Sequence, residues 1–205
     1  MSTEGPLARV LAHFGLPTLA EQLPDEFRAR FGLAAATQYG IACRDVPSAC
    51  AAAEALGAGP FLMGSIAAVG WHEAGVPRPR CQLEVGLGYA GSTQVEFLGP
   101  GRGTDFYSAS LAGAEARLHH AGIYQRGVER LGAGLVAAGH REAVRGGLTL
   151  GGCLSFDYRY YDTRAELGIY IEILDFRALA RPLDLEPLVR GGAALVRWGR
   201  LAASP

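Results

Sequence analysis

The feature that most constrains this chain is the alternation of residue types between positions 169 and 174. Ile169, Ile171 and Ile173 fall on one face of a strand, because successive side chains of a strand point to opposite faces. The other face holds Tyr170, Glu172 and Leu174. The pattern therefore predicts a half-buried strand with a lone carboxylate on the face turned away from the isoleucines.

A second strand is predicted upstream, over the segment His119 to Tyr124. By the same parity, one of its faces holds His120, Gly122 and Tyr124. Between the two strands, Val128 to Ala138 has apolar residues at helical spacing and is followed by Gly139, a residue type common just after a helix end. The predicted order is strand, helix, then strands, with one potential metal ligand at each end.

This stretch resembles one module of the vicinal oxygen chelate superfamily, which includes glyoxalase I, methylmalonyl-CoA epimerase, extradiol dioxygenases and the bleomycin- and fosfomycin-resistance proteins. The matching pieces are His120 to Ile123, Phe156 to Arg164 and Tyr170 to Phe176. In that family each module is a βαβββ unit with one ligand on its first strand and another on its last. The resemblance therefore implies that His120 and Glu172 are metal ligands.

The family is built from paired modules, and the chain repeats the start of the pattern. Gln38 to Ile41 parallels His120 to Ile123, at a distance of 82 positions. A helix predicted over Val46 to Leu56 ends at Gly57, which is also 82 positions before Gly139. The repeat predicts that Gln38 occupies the place of His120 in a first module.

The closing strand of that first module is predicted over Thr93 to Pro100. Glu96 takes the place of Glu172, 76 positions earlier, so the first module has the longer excursion before its closing strand. The segment Gly70 to Arg80 can supply it. The wider stretch Gly64 to Arg80 is rich in glycine and proline and is predicted to be loop, with His72 facing solvent or substrate rather than a metal.

The resemblance implies an α+β fold in which two βαβββ modules pair into one curved mixed sheet around a central cavity. The helices at Val46 to Leu56 and Val128 to Ala138 are expected outside that sheet. Five segments are predicted: an N-terminal helical extension at 1–33, modules at 34–100 and 118–176, a linker at 101–117, and a C-terminal helical tail at 177–205. Parity does not say which face of the strand Leu154 to Asp162 lines the cavity.

The N-terminal extension is predicted to contain short helices. Pro6 to Phe14 has an apolar side and stops at Gly15, Thr18 with Glu21 fits a capping box, and Asp25 can cap a further helix. These helices are expected to cover either a sheet face or the contact of a homodimer.

Charge and composition favour small-molecule chemistry. A net charge of −1 gives no bulk field for nucleic acid or an anionic membrane, and no apolar run approaches the roughly 20 residues of a membrane span. The four cysteines include no C-x-x-C pair and follow no secretory signal, so a reducing, cytoplasmic location is expected. They are interpreted as buried packing residues: Cys43, Cys50, Cys81 and Cys153.

The candidate metal ligands are Gln38, Glu96, His120 and Glu172. One amide oxygen, two carboxylates and one imidazole suit a divalent ion that keeps open positions, left open among Zn, Ni, Co, Mn and Mg. The metal would stabilise an enolate formed when a C–H beside a carbonyl loses its proton. By resemblance to the glyoxalase I pattern, Glu172 or Glu96 would be the catalytic base.

A metal-dependent, glyoxalase-like lyase, isomerase or epimerase is therefore the favoured function. The ligand set disfavours an iron dioxygenase, which uses two histidines and one carboxylate. The alternative is a protein of the bleomycin-resistance type that sequesters its ligand without catalysis. The substrate, a hemithioacetal, an acyl-CoA or a specialised metabolite, stays open.

Overall fold

A computed structural model describes residues 5–68, 70–150, 153–179 and 181–202. The strands are β1 Gln38–Cys43, β2 Leu62–Ala67, β3 His72–Glu73, β4 Val76–Pro77, β5 Gln82–Ala90, β6 Thr93–Leu98, β7 Ala116–Tyr124, β8 Arg141–Leu150, β9 Leu154–Asp162, β10 Tyr170–Ala178 and β11 Arg181–Pro182. The helices are α1 Pro6–Phe14, α2 Leu19–Gln22, α3 Asp25–Phe31, α4 Val46–Ala55, α5 Val128–Ala137, α6 Arg164–Leu167 and α7 Glu186–Ala202, with a 3-10 turn at Ser108–Leu111. Residues 1–4 and 203–205 of the predicted extensions lie outside the described residues.

The strands form a single mixed sheet made of two similar halves. Its order is β2-β5-β6-β1-β7-β10-β9-β8-β3-β4, with β11 paired to β10. In each half the first strand runs parallel to the closing strand, β1 to β6 and β7 to β10, and the two first strands meet antiparallel at the centre. The predicted α+β fold of two paired βαβββ modules is confirmed.

The outer face of the sheet packs against the helices. The isoleucines of β10 and their counterparts Val95 and Phe97 on β6 share one apolar core with residues of α1, α3, α4 and α5. Helices α4 and α5 therefore lie outside the sheet, as the repeat predicts. Gly139 follows the end of α5 with a φ of 96°, a conformation that favours glycine.

A second core fills the inner face and is rich in aromatic residues. Phe156, Tyr158 and Tyr160 of β9 turn inward, so their face of this strand lines the cavity, which strand parity alone does not decide. Tyr170 and Leu174 of β10 join them, on the face opposite the isoleucines. The inner face thus forms the wall of a cavity.

The N-terminal helices cover the outer face. Leu19 and Phe27 belong to the outer core, and the Thr18–Glu21 capping box is present. The predicted cap of α3 is wrong: Pro24 holds the cap position and makes no side-chain cap bond, while Asp25 is the first helical residue. A homodimer contact stays a prediction, as does the cytoplasmic location. No helix within the described ranges is long and apolar enough to cross a membrane.

The prediction of a loop over Gly64 to Arg80 is wrong, because two parts of this segment are strands. Positions 64–67 belong to β2, which pairs with β5 at one end of the strand order. Residues 72–77 form the β3–β4 hairpin, and β3 pairs with β8, so this insertion crosses to the far edge of the second half. Val69 lies outside the described residues. His72 Nδ1 lies 2.7 Å from the Gly70 carbonyl oxygen.

Three of the four cysteines are buried as predicted. Burial raises the pKa of both Cys43 and Cys50 to about 12, which makes these thiols poor nucleophiles. The prediction is wrong for Cys153, which is exposed because it lies in the turn that enters β9.

The outer core is tested by two adjacent positions of α5. Leu135 is fully buried, whereas Val136 is half exposed. Leu135→Ala is expected to lower the free energy of unfolding by about 2–5 kcal/mol, because it leaves a cavity. Val136→Ala is the matched control and should change it by less than about 0.5 kcal/mol. Chemical denaturation followed by circular dichroism measures both, and equal losses would contradict this packing.

Candidate metal centre

The four predicted ligands lie on the four central strands of the sheet. Gln38 is on β1, Glu96 on β6, His120 on β7 and Glu172 on β10. Gly40 of β1 is level with both Glu96 and His120, and Gly122 of β7 is level with both Gln38 and Glu172. The pairing therefore brings all four side chains to the inner face at the seam between the halves.

Two glycines make room for the ligands. The His120 ring lies so close over Gly40 that a Cβ added there would overlap it. The Gln38 side chain lies over Gly122 in the same way. The repeated spacing Gln-x-Gly and His-x-Gly thus has a physical reason, because each strand provides a predicted ligand and also the gap for the predicted ligand of its partner.

The side chains converge closely. His120 Nε2 lies 3.1 Å from Glu172 Oε2 and 3.5 Å from Glu96 Oε2. Gln38 donates from Nε2 to Glu96 Oε2 at 3.3 Å. The potential ligand atoms of Glu96, His120 and Glu172 all lie within 4.8 Å of one another. Such a cluster can hold one ion between its members.

Three buried polar atoms of this cluster have no hydrogen-bond partner: Gln38 Oε1, His120 Nε2 and Glu172 Oε2. The contact between the imidazole and Glu172 is thus close enough for an ion pair but lacks the geometry of a hydrogen bond. Buried polar atoms without partners cost free energy, so convergent ones point to a bound group. An amide oxygen, an imidazole nitrogen and carboxylate oxygens are donors that suit a divalent metal ion, and the residues fit one.

The ionisable groups of the cluster shift one another's pKa. Burial alone would lower the pKa of His120, but the carboxylates of Glu172 and Glu96 raise it to about 9. Burial and the Glu172 charge raise the pKa of Glu96 from its ordinary value, against the lowering effect of His120. Without metal the imidazole is therefore protonated at neutral pH. A metal ion would have to displace that proton in order to bind Nε2.

The neighbouring residue His119 also lies inside the protein, beside His120. The pairing of β1 with β7 slips between Gly40 and Ile41, and this irregularity leaves His119 as an extra residue on β7. The two Nδ1 atoms are 3.1 Å apart. Burial and the charge of His120 hold the pKa of His119 well below its usual value, so His119 is neutral and its Nδ1 can accept the Nδ1–H of His120. That bond leaves His120 Nε2 for the cluster.

Sequence reasoning missed His119, as well as the residues that surround the centre. The His119 ring stacks on Tyr170 at 4.8 Å, and Tyr107 and Phe106 lie against its edges. Regular strand alternation would place His119 on the opposite face from His120. The irregular pairing of β1 with β7 places it beside His120 instead. The His-His pair is the one signal in the sequence that could have drawn attention to it.

The centre forms the floor of a cavity of about 210 Å³. Gln38, Glu96 and Glu172 line the floor, and apolar and aromatic side chains line the walls. At one side, Tyr124 donates to Gln94 Oε1 at 2.6 Å, and Gln94 donates to the Tyr89 hydroxyl at 2.9 Å. This hydrogen-bonded chain joins the cavity to a separate polar pocket beside residues 183–186.

No protein-family model matches the chain, and no curated protein matches it either. Among solved structures, the chain is similar to the methylmalonyl-CoA epimerase of Streptomyces coelicolor in complex with 2-nitronate-propionyl-CoA. The identity is 18%, the match covers 70% of this chain and 97% of that chain, and the TM-score is 0.47. For the methylmalonyl-CoA epimerase of Mycobacterium tuberculosis the identity is 14%, the coverage 72% and 94%, and the TM-score 0.45.

These similarities are weak, and the strand order and register of the chain itself define its fold. Two βαβββ halves meet at antiparallel first strands, and polar side chains converge at their seam. This is the fold of the vicinal oxygen chelate superfamily, so the predicted resemblance is confirmed at the level of fold.

The glycine gap gives a test of the centre. Gly40→Ala is expected to displace the His120 ring and to lower the affinity for zinc by at least about tenfold, since it moves the sole imidazole of the set. Gly64→Ala is the matched control, because nothing lies within 4 Å of a Cβ added at that strand glycine. Competition with a chelating dye measures affinity, and circular dichroism checks folding. Equal affinity in the two variants would show that His120 does not bind the ion.

Proposed function

We propose that this protein is a metal-dependent enzyme that abstracts a proton from a carbon next to a carbonyl group, as a lyase, isomerase or epimerase. The supporting observation is the convergence of buried polar atoms of Gln38, His120 and Glu172 that make no hydrogen bond, at the floor of a cavity, with Glu96 beside them. These four side chains are the proposed ligands of the ion. When bound, the ion would polarise the substrate carbonyl and offset the negative charge that develops on its oxygen.

Glu172 is the proposed base and would have to loosen from the ion in order to act. Glu96 is its counterpart on the equivalent strand of the other half. The two carboxylates approach the same imidazole from opposite sides of the seam. Such a pair can act on either face of a planar intermediate, one carboxylate removing a proton and the other returning it. This arrangement favours an epimerase or isomerase over a lyase.

The largely apolar walls of the cavity support this chemistry. A low dielectric would strengthen the attraction between a bound cation and the negative charge that forms on the substrate oxygen. The Tyr124–Gln94–Tyr89 chain provides a polar connection to the neighbouring pocket.

The proposal rests on the site of this chain. The CoA thioesters in the similar structures belong to those epimerases. The alternative, a protein that binds and sequesters a small molecule, uses the same cavity without proton transfer. The two functions differ in what the acidic residues and the ion do.

Two substitutions separate the roles of the ligands. His120→Ala is expected to abolish tight metal binding, because it removes the only imidazole of the proposed set. Glu172→Gln is expected to retain part of the metal, since an amide oxygen can still coordinate, and to lose most proton-transfer activity, since an amide is not a base. Elemental analysis of protein purified without chelator measures the metal. Exchange of C–H hydrogens with D₂O, followed by NMR on a small hydroxyketone, measures proton transfer.

The outcomes discriminate between enzyme and sequestering protein. An enzyme should lose exchange when a chelator removes the ion and should regain it when the ion is restored. A sequestering protein should hold its ligand equally well with and without chelator and should exchange no hydrogens. Full metal occupancy in His120→Ala would contradict the proposed ligand set.

A further inference from the structure

Above the proposed centre, one side of the cavity is a continuous aromatic wall. The Phe156 ring stacks on Phe176 with centroids 3.8 Å apart and on Tyr158 with centroids 4.8 Å apart. Trp71 extends the wall from Tyr158, at 6.0 Å. Aromatic rings attract one another in stacked and edge-to-face arrangements, so a flat ring entering the cavity would find partners on this wall.

The Trp71 indole and the hydroxyls of two tyrosines near this wall already have polar partners. The Trp71 indole donates to Glu73 Oε1 at 2.8 Å, and the hydroxyls of Tyr107 and Tyr160 lie 3.1 Å from each other. The wall therefore presents ring faces and edges to an occupant more than hydrogen-bonding groups. Specific polar contacts are left to the floor.

The charge of the lining restricts the occupant further. Glu96 and Glu172 line the cavity, and none of its described lining residues is an arginine. The chain has no lysine. An anionic group on the upper part of a substrate would thus be buried among apolar groups without a cation, which is strongly unfavourable. The part of the substrate that meets the wall is therefore neutral.

Size adds a limit. A cavity of about 210 Å³ is smaller than the roughly 300–1,000 Å³ common for ligand pockets. It has room for one ring and a short oxygenated arm. A substrate with a long charged handle would have to leave that handle outside.

The aromatic wall depends on an insertion. Trp71 precedes the β3–β4 hairpin, which the first half inserts between β2 and β5 and which pairs with β8 of the second half. Arg78 and Thr104 both contact the Glu73 carboxylate, which in turn holds the Trp71 indole. The hairpin thus fixes a fully buried tryptophan over the cavity. Packing at a sheet edge alone would not require this arrangement.

We infer that the substrate is a compact, neutral carbonyl compound with two adjacent oxygens and one aromatic ring. The oxygens lie at the Gln38, Glu96, His120 and Glu172 floor, and the ring packs on the wall of Trp71, Phe156, Tyr158 and Phe176. This inference rests on the proposed function for the oxygen end. The ring end rests on the cavity wall alone.

Three matched probes test it by isothermal titration calorimetry on the full, zinc-loaded chain. Phenacyl alcohol has a ring and vicinal oxygens, hydroxyacetone has the same oxygens without the ring, and phenacyl alcohol with a para-carboxylate adds a charge to the ring. Phenacyl alcohol is expected to bind at least about tenfold more tightly than either of the others, from ring burial and stacking. Equal affinities, or no binding of phenacyl alcohol at millimolar concentration, overturn the inference.

Variants of Trp71 test whether the aromatic wall causes the preference for a probe with a ring. Trp71→Leu is expected to weaken phenacyl alcohol binding at least about fivefold and to leave hydroxyacetone unchanged, whereas Trp71→Phe should retain most of the preference. Phe31→Leu, on α3 at the outer face, is the control and should alter neither. The wild-type comparison of probes keeps the inference testable if Trp71→Leu does not fold. An unchanged ring preference in a folded Trp71→Leu protein overturns the assignment of the wall.

Hydrogen exchange in D₂O separates this inference from the proposed function. If the ring preference holds in binding and no probe exchanges its C–H hydrogens, the proposed function fails and the ring-binding wall stands. If exchange occurs while ringed and ringless probes bind equally, the substrate class fails and the proposed function stands.

Discussion

The structure depends on how β1 and β7 pass each other at the centre of the sheet. Each strand places a polar side chain over a glycine of the other, His120 over Gly40 and Gln38 over Gly122. This reciprocal packing is possible only if the two halves pair in one register, since a slip of one residue would turn both side chains to the outer face. The register that joins the halves is therefore also the register that assembles the candidate centre.

The two faces of the sheet have opposite energetic roles. The outer face buries isoleucines, Phe97 and the helices in one apolar core, which is the main source of stability. At the inner face the protein buries an imidazole and carboxylates and leaves polar atoms without partners, which costs stability. A ligand that satisfies those atoms binds only the folded state and stabilises it. The stability of the outer core thus offsets the cost of the buried polar centre.

Much of this organisation could be predicted from the sequence, and the exceptions have physical causes. Parity placed Glu172 opposite the isoleucines, and the 82-residue repeat located Gln38 and the first helix, because both depend on local periodicity. His119 could not be placed, since an irregularity in the pairing of two distant strands puts it beside His120. The hairpin that holds Trp71 was also missed, because β3 is a strand only through its pairing with β8, far away in the sequence. Which face of β9 turns inward could be decided only from the complete sheet. Local pattern predicts elements and faces, and long-range pairing decides the rest.

We propose that one divalent ion binds where the two halves meet. A crystal structure of zinc-loaded protein, with the ion located by its anomalous scattering, tests it most directly. One ion is expected at the inner face, about 2.0–2.2 Å from His120 Nε2 and from oxygens of Glu96, Glu172 and Gln38. An ion bound elsewhere, or one that His120 and both carboxylates do not coordinate, would contradict the proposed centre.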